Sequence, residues 1–311
     1  MIYLIDNDTI KEIDSTWVEY CFLRHVPKNS LIIPSGQYPN LKLLEQTDKH
    51  LIFDDCTNPS HLNKILEYIR PLKKDYTIFT GDLKYYNRAH FNSQVKFFPF
   101  WQYWIGKQQY TESDIKRTHK ISSLNGTSWN HRKLVYLELS KQDWFNDMIF
   151  TFGNRPPCND WQNSLTDQEQ TEFDLLPNPV NYVKQDVENE IDLSIEHPAY
   201  RSSWVNLVVE TSVKLDTPFL SEKTFKPIAS GQLFLLVSAP GSISYLRDVG
   251  FDVFDDIIDH SYDNVLDLRS RLKLIVKQLA RLNQLDVDQL GPTLTERFNN
   301  NSKFLVKLTV A

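Results

Sequence analysis

Five short apolar runs, IYLI, SLII, HLIF, YTIF and VKFF, punctuate the first third of the chain. Each is too short for a globular helix and too continuously apolar for a strand with one wet face, so each reads as a strand buried on both sides. Between HLIF and YTIF, residues Leu62, Ile65, Leu66 and Ile69 recur at helical spacing, with Ser60 placed to cap the start and Pro71 to stop the end. Strand, helix, strand in succession requires a crossover, and crossovers build parallel sheets covered by helices. The chain is therefore expected to be α/β.

The alternation breaks at GKQQYTESDIKRTHK, Gly106 to Lys120, a polar and charged stretch that suits a linker. It then resumes: helical spacing from His131 to Ser140, a strand around MIFTF, and strands VNLVV and LFLLV, each followed by a helical segment. Leu268, Leu272, Ile275, Leu279 and Leu282 mark an amphipathic helix of about four turns near the end. Between Pro156 and Asp192 a polar stretch rich in Asn, Asp, Gln and Glu reads as a surface insertion. A length of 311 residues exceeds one ordinary core. Two α/β lobes in series, 1–112 and 113–311, are expected, each with a Rossmann-like parallel sheet, and with a cleft between them.

Composition narrows the class. With 41% hydrophobic and 24% charged residues the chain can bury real cores and is neither disordered nor fibrous. No window approaches ~18 uninterrupted apolar residues, and the opening MIYLIDNDTIKEID turns acidic too soon for a signal-peptide core. A cytoplasmic protein with no membrane span is expected. Cys21, Cys56 and Cys158 show no CxxC or CxxH spacing, which suits a reducing compartment without structural zinc. The eight histidines give no HxxxH or HExxH pattern, and neither GxSxG nor a phosphate-binding Walker loop is present. A formal net charge of −6 argues against whole-molecule attraction to nucleic acid, while leaving room for a local basic groove.

The chemistry-bearing segment is VNLVVETSVKLDTPFLSEKTFKPIASGQLFLLVSAPGS. Its strand VNLVV ends at Glu210, and Ser221, Glu222 and Lys223 then open a helical stretch that closes at Gly231. In parallel α/β sheets ligands bind beyond the carboxyl ends of the strands, where helix N-termini offer free N–H groups. A lysine ammonium offsets diphosphate charge, and a glutamate carboxylate accepts hydrogen bonds from both ribose hydroxyls. Ser-Glu-Lys is by itself a common helix opening, and Pro227 would kink a helix that began at Glu222. A second segment, SSLNGTSWNHRKLVYLEL, reads as a strand end, a polar turn and a helix with Arg132 in its first turn. A cation there opposes the helix dipole at ~0.3–1 kcal/mol unless an anion joins it, so Arg132 looks placed for a phosphate, with Asn125, Ser128 or Asn130 able to cap nearby.

Together these segments resemble the α-1,3-fucosyltransferases and related viral and bacterial glycosyltransferases of the two-lobed GT-B architecture. The resemblance rests on an Asn-rich turn followed by Arg and Tyr, here Asn125, Arg132 and Tyr136, and on a strand-end Glu followed by FLSEK, here Glu210 and Phe219 to Lys223. It covers Ser122 to Asp263, including SAPGSISYLRDVGFDVFDDIIDHSYD, whose turn at Pro240 and Gly241 is expected to close the pocket. It implies that Arg132 and Lys223 bind the diphosphate of a nucleotide-sugar, GDP-sugar foremost with UDP or CDP open. It further implies that Glu222 binds ribose, that Glu210 shapes the sugar or base pocket, and that Asn125, Ser221 and Tyr136 belong to the same donor site.

The acceptor half shows no alignable motif. An inverting transfer of a hexosyl or pentosyl group needs a base to take the acceptor proton, and carboxylates at strand ends suit that task. Asp54 and Asp55 after HLIF fit best, then Asp82 after YTIF, with Asp6 and Asp8 behind them; any one of the five also suits a loop or cap. Asp6-Asn7-Asp8 spells a DxD tripeptide, but Arg132 and Lys223 already balance a diphosphate, so neither metal nor resident cofactor is expected. The aromatic run FFPFWQYW, residues 97–104, suits stacking on a sugar or base and equally suits core packing. A glycan hydroxyl is the default acceptor, and a hydroxymethylated base in phage DNA the alternative, which would require base flipping and a basic face. A non-catalytic nucleotide- or sugar-binding module, or a purely structural protein, are the competing classes. Oligomeric state is not legible.

Overall fold

The computed structural model describes residues 2–6, 9–12, 30–33, 49–54, 67, 76–80, 95–97, 105–106, 117–155, 165–177, 195, 197–213, 218 and 220–308. The chain divides into two compact units, Met1–Phe100 and Trp101–Ala311.

The first unit holds a six-stranded sheet built from β1 (Ile2–Asp6), β2 (Thr9–Glu12), β3 (Ser30–Ile33), β4 (Lys49–Asp54), β5 (Tyr76–Thr80) and β6 (Val95–Phe97). All five apolar runs are strands of it, in the order β2-β1-β3-β4-β5-β6, and those five pair parallel. The polar run TIKE of β2 was not expected as a strand. It pairs antiparallel with β1, Asp6 opposite Thr9, as an edge strand with a single neighbour. Glu67 is helical, while Ser60, Leu62, Ile65, Leu66, Ile69 and Pro71 lie outside the described residues. So do the three cysteines and residues 98–104 of the aromatic run.

The second unit is a four-stranded, wholly parallel sheet: β7 (His119–Thr127), β8 (Ile149–Arg155), β9 (Ser203–Val209) and β10 (Leu233–Val237), in the order β10-β9-β7-β8. Its helices are α1 (Asn130–Ser140), α2 (Asp167–Asp174), α3 (Pro198–Ser202), α4 (Glu222–Ala229), α5 (Ser242–Val249), α6 (Leu268–Gln284) and α7 (Val287–Leu308). The expected linker gives way to β7 at His119, because the β7–β9 ladder starts there, opposite Ser203. Arg117 just before it donates to the carbonyls of Ser230 (3.1 Å) and Gly231 (2.6 Å), closing the end of α4. Gly231 takes φ 63°, the left-handed geometry expected of a helix stop.

Burial follows the apolar pattern. Every residue of β10 is buried, and α6 buries Leu268, Leu272, Ile275, Leu279 and Leu282, the five residues spaced for that purpose. Within the polar stretch 156–192, α2 starts from a capping box of Thr166 and Glu169 and buries no residue, as a surface insertion should. Among the described residues no helix is long and apolar enough to cross a membrane.

Candidate functional site

In the second unit the chain runs from β7 to its neighbour β8 on one side, then returns to build β9 and β10 on the other. The reversal makes the carboxyl ends of β7 and β9 a topological switch point, the position at which open α/β sheets bind ligands in a crevice. Asn125 lies near the end of β7, Arg132 in the first turn of α1, Glu210 just past β9, and Ser221, Glu222 and Lys223 at the start of α4. Six of the seven expected donor-site residues thus lie at strand ends or in the first turns of helices at this edge.

Tyr136 is the exception. Its ring sits among Phe145, Phe150, Phe152 and Phe173, with centroids 5.1 Å from Phe150 and 5.7 Å from Phe152, and its hydroxyl donates to the Pro177 carbonyl at 2.5 Å. An aromatic ring with such neighbours contributes packing on the β8 side of the sheet. Phe219 lies outside the described residues.

Arg132 takes a different position from that of an exposed phosphate ligand. Only 3% of it is accessible, and its two terminal nitrogens donate to Thr127 O (3.2 Å) and Val209 O (3.3 Å), bridging the ends of β7 and β9. Its Nε has no hydrogen-bond partner. Burial pulls its pKa down to about 10, against the opposing fields of the Glu210 and Glu222 carboxylates, so it remains a cation at neutral pH. The N-cap position of α1 is Trp129, which makes no side-chain cap hydrogen bond, and the first turn holds no acidic residue.

Beside it sits His131, which no sequence spacing marked. The ring is fully buried, and its Nε2–H donates to Glu210 O at 2.9 Å. Burial first, then the neighbouring Arg132 charge, lowers its pKa to about 3, so the imidazole is neutral at pH 7. The one available signal was its adjacency to Arg132 in the same turn.

At α4 the expected cap is present: Ser221 Oγ accepts from Lys223 N at 3.3 Å. The helix runs through Pro227 to Ala229, and the absent proline N–H falls where so short a helix loses a single interior bond. Its N-terminus already holds an anion. Glu210 Oε1 accepts from Ser221 N (2.9 Å) and Thr224 Oγ1 (2.6 Å), and Oε2 accepts from Ser221 Oγ (2.7 Å). Lys223 Nζ donates to Glu222 Oε1 at 2.6 Å, and the Lys223 side chain is 29% exposed. Burial would raise the Glu222 carboxyl, but the pair with Lys223 and the field of Lys226 hold it below its ordinary value. Arg132 and Lys223 thus face the carboxylates of Glu210 and Glu222, and Lys226, whose Nζ lies 5.7 Å over the Tyr200 ring, adds its field to that at Glu222.

The stretch after β10 is built by three further carboxylates. Asp263 accepts from Ile243 N (3.1 Å) and Ser244 N (3.0 Å), so the turn at Gly241 leads into a helix whose N-terminus is capped. Asp252 and Asp256 are both gripped by Arg297, which also lies 4.8 Å over the Phe254 ring. That clamp sustains Phe254 at φ 63°, a conformation a bulky residue keeps only where its surroundings over-determine it.

Of the candidate bases, Asp54 is the last residue of β4, opposite Thr80 of β5, and Asp6 is the last of β1. Asp55, Asp82 and Asp8 lie outside the described residues. Among the described residues no group of three or more His, Cys, Asp or Glu is placed to hold a metal ion.

No family model matches the chain, and no curated protein matches it. Among solved structures it is similar to T4 phage BGT in complex with UDP and Mn2+, at 13% identity over 89% of this chain and 83% of that one, with a TM-score of 0.36. Superposition that loose transfers neither a residue role nor a ligand.

Proposed function

We propose that the protein is a glycosyltransferase of the two-lobed GT-B kind, whose second unit binds a nucleotide-sugar at the β7/β9 crevice. The observation that carries this reading is the part-exposed Lys223 paired to Glu222 at the start of α4, beside the switch point of the sheet at β7 and β9. A diphosphate suits the Lys223 ammonium, and ribose hydroxyls suit the Glu222 carboxylate once the ligand parts the pair. Arg132 acts as a buried positive charge that offsets the carboxylates of Glu210 and Glu222, so that Lys223 is not their sole counter-charge.

In the reaction, an acceptor hydroxyl oxygen attacks the anomeric carbon and the bond from that carbon to the diphosphate oxygen breaks. The base takes the hydroxyl proton, and the departing nucleoside diphosphate keeps the electron pair, with Lys223 compensating its charge. The base is assigned to Asp54, Asp55 or Asp82 of the first unit. GDP-sugar is the favoured donor, a glycan hydroxyl the favoured acceptor, and the transfer is inverting without a metal.

A thermal-shift panel of GDP, UDP, CDP and their sugars tests the donor half, because a ligand at ~100 times its Kd adds ~2.7 kcal/mol of stability. Stabilisation by one nucleotide, reduced in Lys223→Ala, is expected; no response across the panel overturns the reading. Transfer assays with glycan and with hydroxymethylated DNA, each with EDTA or manganese, decide acceptor and metal. Activity abolished by EDTA and restored by manganese refutes metal independence.

A further inference from the structure

Glu210 is 0% exposed, and every polar atom it carries is engaged. Its carboxylate receives three hydrogen bonds from Ser221 and Thr224, its N–H donates to Val237 O at 3.0 Å, and its carbonyl accepts from His131 at 2.9 Å. One residue therefore ties the end of β9 to β10, α1 and α4. A carboxylate this enclosed has no surface to offer a sugar or a base.

What it touches does have such surface. Ser221, held by Glu210, receives both Lys223 N (3.3 Å) and Lys223 Nζ (3.2 Å), and Nζ reaches on to Glu222 Oε1 (2.6 Å). The contacts run unbroken from Glu210 through Ser221 to Lys223 and Glu222. Asp263 caps α5 in a similar manner, but the first turn there, Ser242, Ile243 and Ser244, carries no charge to aim.

We infer that Glu210 is a positioning residue, which fixes the Glu222–Lys223 pair at the mouth of the crevice by holding Ser221 and Thr224, and does not itself contact the ligand. The identity of the ligand rests on the donor reading above; the hold on α4 does not. Loss of a helix-capping contact sets the expected size of the effect near tenfold.

The test uses the full chain with Glu210→Asp, which shortens the reach by one methylene, Glu210→Gln, Lys223→Ala and the double variant Glu210→Asp/Lys223→Ala. Amide hydrogen exchange is followed over 220–231, and binding of GDP, UDP and CDP is measured by calorimetry. Glu210→Asp should speed exchange at Ser221 to Thr224 about tenfold and weaken the bound nucleotide about tenfold. Glu210→Gln, which keeps the chain length and the Oε1 acceptor, should recover most of that loss. In the Lys223→Ala background the same Glu210→Asp change should alter affinity less than about twofold, because the two act through one contact chain. Should Glu210→Asp fail to fold, Thr224→Val, which removes the 2.6 Å donor to Glu210 Oε1, carries the same cycle with and without Lys223→Ala.

Unchanged exchange in Glu210→Asp, a full additive loss in the double variant, or an altered preference among the three nucleotides overturns the inference, the last two by marking direct ligand contact. A wild-type chain that binds none of the nucleotides overturns the donor reading instead, and the exchange result then decides the positioning role by itself.

Discussion

Acidification from pH 7 to pH 5 should destabilise the second unit through His131. The imidazole is fully buried, and its pKa falls from 6.5 to about 3. A group whose folded pKa is depressed contributes stability that is present above its unfolded pKa, and loses it as pH falls toward the folded value. Between pH 6.5 and about 3 the unfolded chain takes up a proton that the native ring refuses, at about 1.4 kcal/mol per pH unit. By pH 5 the loss is therefore about 2 kcal/mol, a large share of a typical stability margin. The buried His260 has a lowered pKa as well, mainly through burial, so it adds a loss of the same sign. Carboxylates contribute later: the Glu169 carboxyl, held at about 2 chiefly by its hydrogen bonds from Arg269, yields its stability only below its ordinary value of 4.5. Urea unfolding at pH 7, 6, 5.5 and 5 should show this slope in the wild type. His131→Gln keeps an amide donor for Glu210 O and cannot titrate, so its slope should be shallower by about 1.4 kcal/mol per pH unit below 6.5. Equal slopes for the two proteins would refute the argument that this ring is held neutral by its surroundings.

Two further substitutions probe the same unit. Arg132→Met removes the buried cation facing Glu210 and Glu222 and should destabilise by about 3–5 kcal/mol in chemical denaturation, because the carboxylates lose their compensation; a loss below about 1 kcal/mol would show that Lys223 and Lys226 suffice. Leu279→Ala, at a residue with 0% exposure on α6, should cost about 2–5 kcal/mol without changing nucleotide affinity beyond the shift in folded fraction.

In the second unit the apolar runs of β9 and β10 are legible because burial on both faces selects apolar residues along them. LFLLV is the clearest instance, buried throughout β10. The TIKE strand escaped notice because an edge strand needs no such run. The helix from Leu268 is legible for a similar reason, since its apolar positions follow the helical period. Ser221 as the cap of α4 and Gly231 as its stop are likewise local signals.

Tertiary structure decided the remainder. Arg132, His131 and Tyr136 lie within two turns of one helix, and nothing in that helix separates their fates. Arg132 is drawn under the crevice by Val209 O and His131 by Glu210 O, acceptors 77 and 79 positions along the chain. Tyr136 is claimed by phenylalanines of β8 and α2. Glu210 closes the N-terminus of a helix that begins twelve residues after it, so the site expected to receive a ligand anion is met by the protein's own. Periodicity reports which residues avoid water. Which polar atoms find each other depends on strand order, and strand order is settled only when β9 comes to lie beside β7.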